Sequence, residues 1–240
     1  MKKIIVIIAV LSKVFLGQAQ ENRVKPIWDY PIKPGTEEWV ALGTRVERLR
    51  ISQIPDEILK TISTENLVML CLNYPFRIDF FLHNNRQKGI KKIAAEFNGL
   101  QELFFRKDNV QYLFVLLKNK ELDVILGNET LDRGEFALEI SLIETILAHE
   151  SILANATSEQ QANIASIALK NLNIKERHTE VFGHSGLETT AYLLYASLRN
   201  LNNFDSLNPD LELFFSAGGS FFKPELLEKL RQNYTITINR

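Results

Sequence analysis

Through the first half of this chain, apolar residues recur every three or four positions, but only in short runs. Each run is closed by a breaker, at Pro75, Asn84–Asn85, Asn98–Gly99 and Asp108. Helical periodicity does not sit as a strand, and runs this short do not build a bundle of long parallel helices. Short antiparallel helices packed side by side are the remaining solution. The expected fold is therefore all-α, an irregular α-α array of about ten short antiparallel helices, loosely solenoid-like but without a fixed-period repeat.

Local signals place the elements. Thr36 caps a first turn Glu37-Glu38-Trp39, whose acids favour a helix N-terminus. Pro55 stands where a first helical residue is favoured, and Ser63 caps TENLVMLCLNY, which Pro75 ends. Later helices are longer. Gly134 to Leu153 carries the stripe Phe136, Ile140, Ile143 and Leu147. Thr157 and Gln160 have capping-box spacing, and Ser185 and Glu188 repeat it before TTAYLLYASLRNL. Pro224 opens a last helix, and Tyr234–Asn239, alternating with a period of two, predicts a short closing strand. The expected organisation is a leader over 1–19, a Pro-rich extended lead-in over 20–35 pinned by Trp28 and Tyr30, and one helical domain over 36–240. A loop at 127–134 is its only candidate internal boundary.

The leader is read from Lys2 and Lys3, the apolar run Ile4–Leu11, and the small residues Gly17 and Ala19 before a cleavage point. That is a secretory signal layout, and the run is too short to span a bilayer. Export to the periplasm or the exterior follows. Losing Lys2, Lys3 and Lys13 takes the 28 basic and 29 acidic residues to a net charge of −4, which gives no electrostatic reason to expect nucleic acid. No later stretch is long enough for a membrane span. A single cysteine allows no internal disulfide and no Cys-rich zinc site.

Tyr30–Trp39, YPIKPGTEEW, and Gln53–Pro75, QIPDEILKTISTENLVMLCLNYP, together resemble a family of secreted proteins of gut-dwelling Gram-negative bacteria. The family has no established function. Its members share an export signal, this Pro-Ile-Lys-Pro-Gly-Thr-Glu-Glu-Trp lead-in and the Leu-Cys-Leu-Asn-Tyr-Pro helix end. The likeness spans roughly residues 31–118. It implies export and a helical fold, and it carries over no catalytic residue.

The residues that bear chemistry read mostly as structure. Cys71 lies near a helix C-terminus among Leu67, Val68, Leu70 and Tyr74, where dipole and apolar surroundings both disfavour a thiolate, so it is core. His178 and His184 sit six apart in an expected loop, HTEVFGHSG, and are the only candidate metal ligands; a third would have to come from elsewhere, such as Glu180 or Glu188. GHSG lacks the spacing and the preceding strand of a nucleophile elbow, so Ser185 is expected to be a cap. Ala217–Ser220 lacks the ending of a phosphate loop and reads as a turn. Glu139, Glu144 and Glu150 read as solvated. One phenylalanine of each pair at 80–81, 104–105, 214–215 and 221–222 is expected in the core, the second against a neighbouring helix. Asn203–Glu212 is an expected loop, in which Asp205-Ser206-Leu207 offers Ser206 as an O-glycan acceptor.

No catalytic residue and no cofactor is assigned. The expectation is an exported protein that binds a protein, peptide or glycan. A hydrolase with a carboxylate or histidine site and a structural helper domain are the alternatives.

Overall fold

The computed structural model describes residues 28–127, 132–201, 208–220 and 222–238. The expected leader over 1–19, the first half of the 20–35 lead-in, the centre of 127–134 and Ser206 lie outside the described residues. Among those described, regular structure is helical and no strand is present.

The first half is a succession of short helices: α1 Glu37–Ala41, α2 Arg45–Ile51, α3 Asp56–Leu59, α4 Thr64–Leu72, a 3₁₀ turn Arg77–Leu82, α5 Arg86–Glu96, α6 Asn98–Phe105, α7 Asn109–Asn119 and α8 Leu122–Leu126. Each start has a local cause. Thr36 accepts from the Trp39 N–H, Ser63 from the Asn66 N–H and Asn85 from the Lys88 N–H. Thr44 and Glu47 close a full capping box at α2, a helix the sequence reading does not anticipate. The lead-in is pinned as expected. Tyr30 is buried, its hydroxyl donates to the Leu70 carbonyl at 2.9 Å, and Trp28 meets its ring edge-on at 5.0 Å.

The second half holds α9 Arg133–Leu147, α10 Glu150–Leu153, α11 Ser158–Arg177, α12 Thr179–Arg199, α13 Pro209–Ser216 and α14 Leu226–Ile238. The expected long helix over Gly134–Leu153 is two, because His149 breaks it and caps α10 by accepting from the Ser151 N–H. Thr157 and Gln160 form their capping box. The expected closing strand is instead the end of α14: Leu226, Leu227 and Leu230 dock in the core, and no neighbouring strand offers Tyr234–Ile238 a ladder. Asn208 caps α13, so Pro209–Glu212 is helix rather than loop.

α9 is the hub. It packs against α4, α5, α7 and α12, while α14 crosses both α11 and α12. In a solenoid each repeat touches only its sequence neighbours, so this hub departs from the expected stack. Apolar burial on all sides of α9 leaves Glu144 wholly inside, which corrects the reading of that residue as solvated. Its carboxylate receives Lys175 Nζ at 2.8 Å, the Thr189 hydroxyl at 2.8 Å and the Thr190 hydroxyl at 2.9 Å. Lys175 also donates to the Gly186 carbonyl at 3.3 Å and lies 5.2 Å from the Phe182 ring centre. Burial pulls the Lys175 pKa down, and Glu144 opposes that pull. The result is a saturated polar staple across α9, α11 and α12.

Candidate cleft site

Two clefts open on the face where α5, α12 and α13 meet, one of about 720 Å³ and one of about 680 Å³. They share Asn85, Lys88 and Ser216 as a dividing ridge. That ridge is a contact between two turns. The Asn85 side chain donates to the Ala217 carbonyl at 2.5 Å, and the Ser220 hydroxyl donates to the Asn84 carbonyl at 3.0 Å. Gly218 adopts φ +63°, which favours glycine, and a Cβ there would fall 2.2 Å from Asn85 Oδ1, so any other residue would also push the Asn85 amide off its two hydrogen bonds. The expected turn at Ala217–Ser220 is thus present, and it carries one wall of each cleft.

The smaller cleft is lined by His83, Arg86, His184, Glu188, Ser220 and Phe222, among others. Arg86 organises it. Its guanidinium donates to the carbonyls of Phe81 at 3.1 Å and His83 at 2.7 Å, and to the Ser185 hydroxyl at 3.1 Å. It also faces Glu188, with Nε and Oε1 3.4 Å apart. One long hydrogen bond joins them, Arg86 Nη2 donating to Glu188 Oε2 at 3.4 Å. Arg86 Nε and Glu188 Oε1 are both buried without a hydrogen-bond partner among the described residues. Burial raises the Glu188 carboxyl to about 7, against the pull of Arg86.

The larger cleft has a different character. Tyr192 and Phe215 stack with ring centres 5.0 Å apart and planes within 6°, and the Arg199 guanidinium sits 4.7 Å over Phe215. Burial raises the Tyr192 phenol to about 12, helped by Glu150. Lys91 pairs with Glu150 at 2.8 Å on the rim. The Gln161 amide donates to the Leu153 and Ala156 carbonyls, each at 3.3 Å, while its buried Oε1 has no partner among the described residues.

The two sequence-level histidines are not brought together. His184 is exposed, meets Phe222 edge-on at 5.0 Å and shares the smaller cleft with His83 and Glu188. His178 caps the other end of that segment, with Nδ1 3.2 Å from Glu180, and does not line this cleft. Among the described residues no three His, Cys, Asp or Glu side chains converge as metal ligands. The segment is not a loop either. It is the start of α12, interrupted at Gly183, where φ is +59°. Ser185 is not a cap, because its hydroxyl accepts from Arg86, and the Glu188 carboxylate turns to that cation rather than back to a neutral backbone N–H.

Cys71 is core, as its neighbours imply. It is buried, and burial pushes its thiol well above the usual range. Of the phenylalanine pairs, Phe80 and Phe214 are buried while Phe81 and Phe215 are half-buried. Phe105 departs from the pattern, being 79% exposed. Sequence reasoning missed Arg86, Tyr192 and Arg199, and read Glu188 only as a capping partner or a spare metal ligand. The available signal was Glu188 itself, an acid directly before TTAYLLYASL, a run with no charged residue on any face.

Comparison with protein-family models, curated proteins and solved structures finds no match for this chain. Among the described residues, no helix is long and apolar enough to cross a membrane.

Proposed function

We propose that this chain is an exported helical binding protein of a Gram-negative bacterium, a member of the secreted family its lead-in resembles, and that it takes its ligand in the paired clefts. What carries the reading is the shared ridge. Two clefts of ligand-binding size meet at three residues, and one of the two contributing turns holds a glycine in the left-handed region with the Asn85 amide packed against it. Helical walls hold such a surface in shape, so a ligand meets a preformed site. The partner is a peptide, a protein segment or a glycan, met in the periplasm or outside the cell.

Backbone amide shifts recorded against a panel of short peptides and oligosaccharides test this. A bound ligand is expected to perturb Asn85, Lys88 and Ser216 first, and Ser216→Trp, which plants a ring on the exposed ridge, is expected to abolish binding. Perturbation centred elsewhere, or affinity untouched by Ser216→Trp, would overturn it. Export is tested by N-terminal sequencing of secreted material, expected to begin near Gln20.

One observation favours a second reading, hydrolysis. Glu188 lines the smaller cleft with its carboxyl raised to about 7, where a general acid works well at neutral pH. Turnover that disappears in Glu188→Gln while ligand binding survives would select this reading; binding without turnover would discard it.

A further inference from the structure

The ligand class of the larger cleft follows from what lines it, given that the clefts are a binding site. The chain as a whole carries a net charge of −1, yet the two clefts present Arg86, Lys88, Lys91 and Arg199 against only Glu150 and Glu188. Two of these cations are engaged, Arg86 with Glu188 and Lys91 with Glu150. Lys88 and Arg199 line the larger cleft with no carboxylate partner among the described residues. Arg199 is nonetheless held in place, its guanidinium over Phe215 and that ring stacked on Tyr192. A guanidinium fixed on an aromatic ring presents its donor fork with little freedom left to lose, which suits a two-oxygen anionic group.

The second requirement comes from the floor. Gln161 is anchored by both carbonyls it donates to, and its buried Oε1 is an acceptor without a donor among the described residues. A ligand that fills it brings a hydroxyl or an amine. The walls then discriminate between polymers. They are helices and the turns that end them, with no strand among the described residues, so a peptide strand finds no sheet edge to extend. Among the described residues Leu153 is the only large aliphatic side chain in the lining, so a helical peptide finds no run of aliphatic contacts there. An oligosaccharide needs neither; it is read by side-chain amides, hydroxyls and cations.

We propose that the larger cleft binds an acidic saccharide, with Arg199 and Lys88 holding its carboxylate or sulfate and Gln161 accepting from one of its hydroxyls. The volume of about 720 Å³ suits a short oligosaccharide segment rather than a single small anion.

Titration calorimetry of the full chain decides it, with trigalacturonate as the carboxylate probe, a heparin tetrasaccharide as the sulfate probe, and maltotriose and hexaglutamate as comparisons. At least one acidic saccharide is expected to bind, more weakly as salt rises, and to prefer the site over both comparisons. Arg199→Gln is expected to weaken it by about tenfold to a hundredfold, the loss of a charged hydrogen-bonding group, with the melting temperature lowered by no more than about 4 °C, the loss of one exposed stacking contact. Equal binding of maltotriose, unaltered affinity in Arg199→Gln, or silence from both acidic probes would overturn the proposal. Hexaglutamate binding more tightly, through Arg199, would overturn the saccharide while leaving the cleft a binding site. Failure of every probe, together with an inert Ser216→Trp, would remove the binding reading as well.

Discussion

Glu144 and Glu188 are both buried glutamates on long helices, both facing a cation, and Thr189, the neighbour of one, donates to the other. Their surroundings differ in one respect. Glu144 receives an ammonium and two hydroxyls, all within 2.9 Å, and lies at the centre of the core. Glu188 meets one guanidinium across 3.4 Å, keeps an oxygen without a hydrogen bond among the described residues, and lies at a cleft wall. A saturated buried carboxylate has nothing further to offer and acts as structure. One left short of donors beside open space is held in a less stable state, and any donor arriving there can improve it.

Breaking the saturated site has the largest expected effect. Glu144→Ala leaves the Lys175 ammonium buried without a counter-charge, and is expected to cost about 3–5 kcal/mol in urea unfolding. Replacing both partners, Glu144→Leu with Lys175→Met, is expected to return stability to near the original value or above it. With the carboxylate gone, the Thr189 and Thr190 hydroxyls can turn their protons to the Gly186 carbonyl, 3.1 and 2.9 Å away. A double variant as weak as Glu144→Ala would show that the ion pair itself is needed.

The unsaturated site gives a smaller, pH-dependent effect. The Glu188 carboxyl is raised in the folded chain, so the stability it supports is complete below about 4.5 and is lost as pH rises through about 7. Glu188→Gln, fixed in the neutral form, is expected to match the parent near pH 4.5 and to exceed it above pH 7 by on the order of 3 kcal/mol. Equal stabilities at both ends would mean that Glu188 is better solvated than its surroundings imply.

His149 sharpens the comparison from the other direction. It is buried and stacked on Phe104 at 4.1 Å, with Nε2 lacking a partner among the described residues. Burial, helped by Lys91, lowers its pKa to about 4. The stability its neutral form supports is therefore complete above about 6.5 and lost as pH falls through about 4. His149→Asn keeps a capping oxygen and does not titrate. Beyond a constant offset from the lost ring, it is expected to gain on the parent only below pH 6.5. The two variants should diverge from the parent at opposite ends of the scale, since the two groups oppose each other between pH 4.5 and 6.5 in the intact chain.

The same contrast explains what could be read in the sequence. Caps are local: Thr36, Ser63 and the Thr157–Gln160 box each need only a side chain and a backbone N–H within a few residues, and all three form. The apolar surroundings of Cys71 are likewise written within one helix. Glu144 needed partners from two other helices, and nothing near it in the chain announced Lys175, Thr189 or Thr190. Arg86 and Glu188 stand 102 residues apart. The closing segment failed for a related reason. Tyr234–Ile238 alternates as a strand does, but a strand needs a partner, and the leucines just before it had already committed the backbone to a helix.

The sealed position of Cys71 has a practical meaning for anyone who wants to watch the clefts at work. The chain's only thiol is out of reach of aqueous reagents while folded, so the protein is, to a maleimide, a cysteine-free surface. One cysteine placed on the exposed ridge, as in Ser216→Cys, would take a fluorophore at that point alone, with no need to alter the native residue first. A dye there would stand between the two clefts and report by its colour or brightness when either one fills. The internal control is built in: a second equivalent of label should enter only in denaturant, and its early entry would reveal a breathing core.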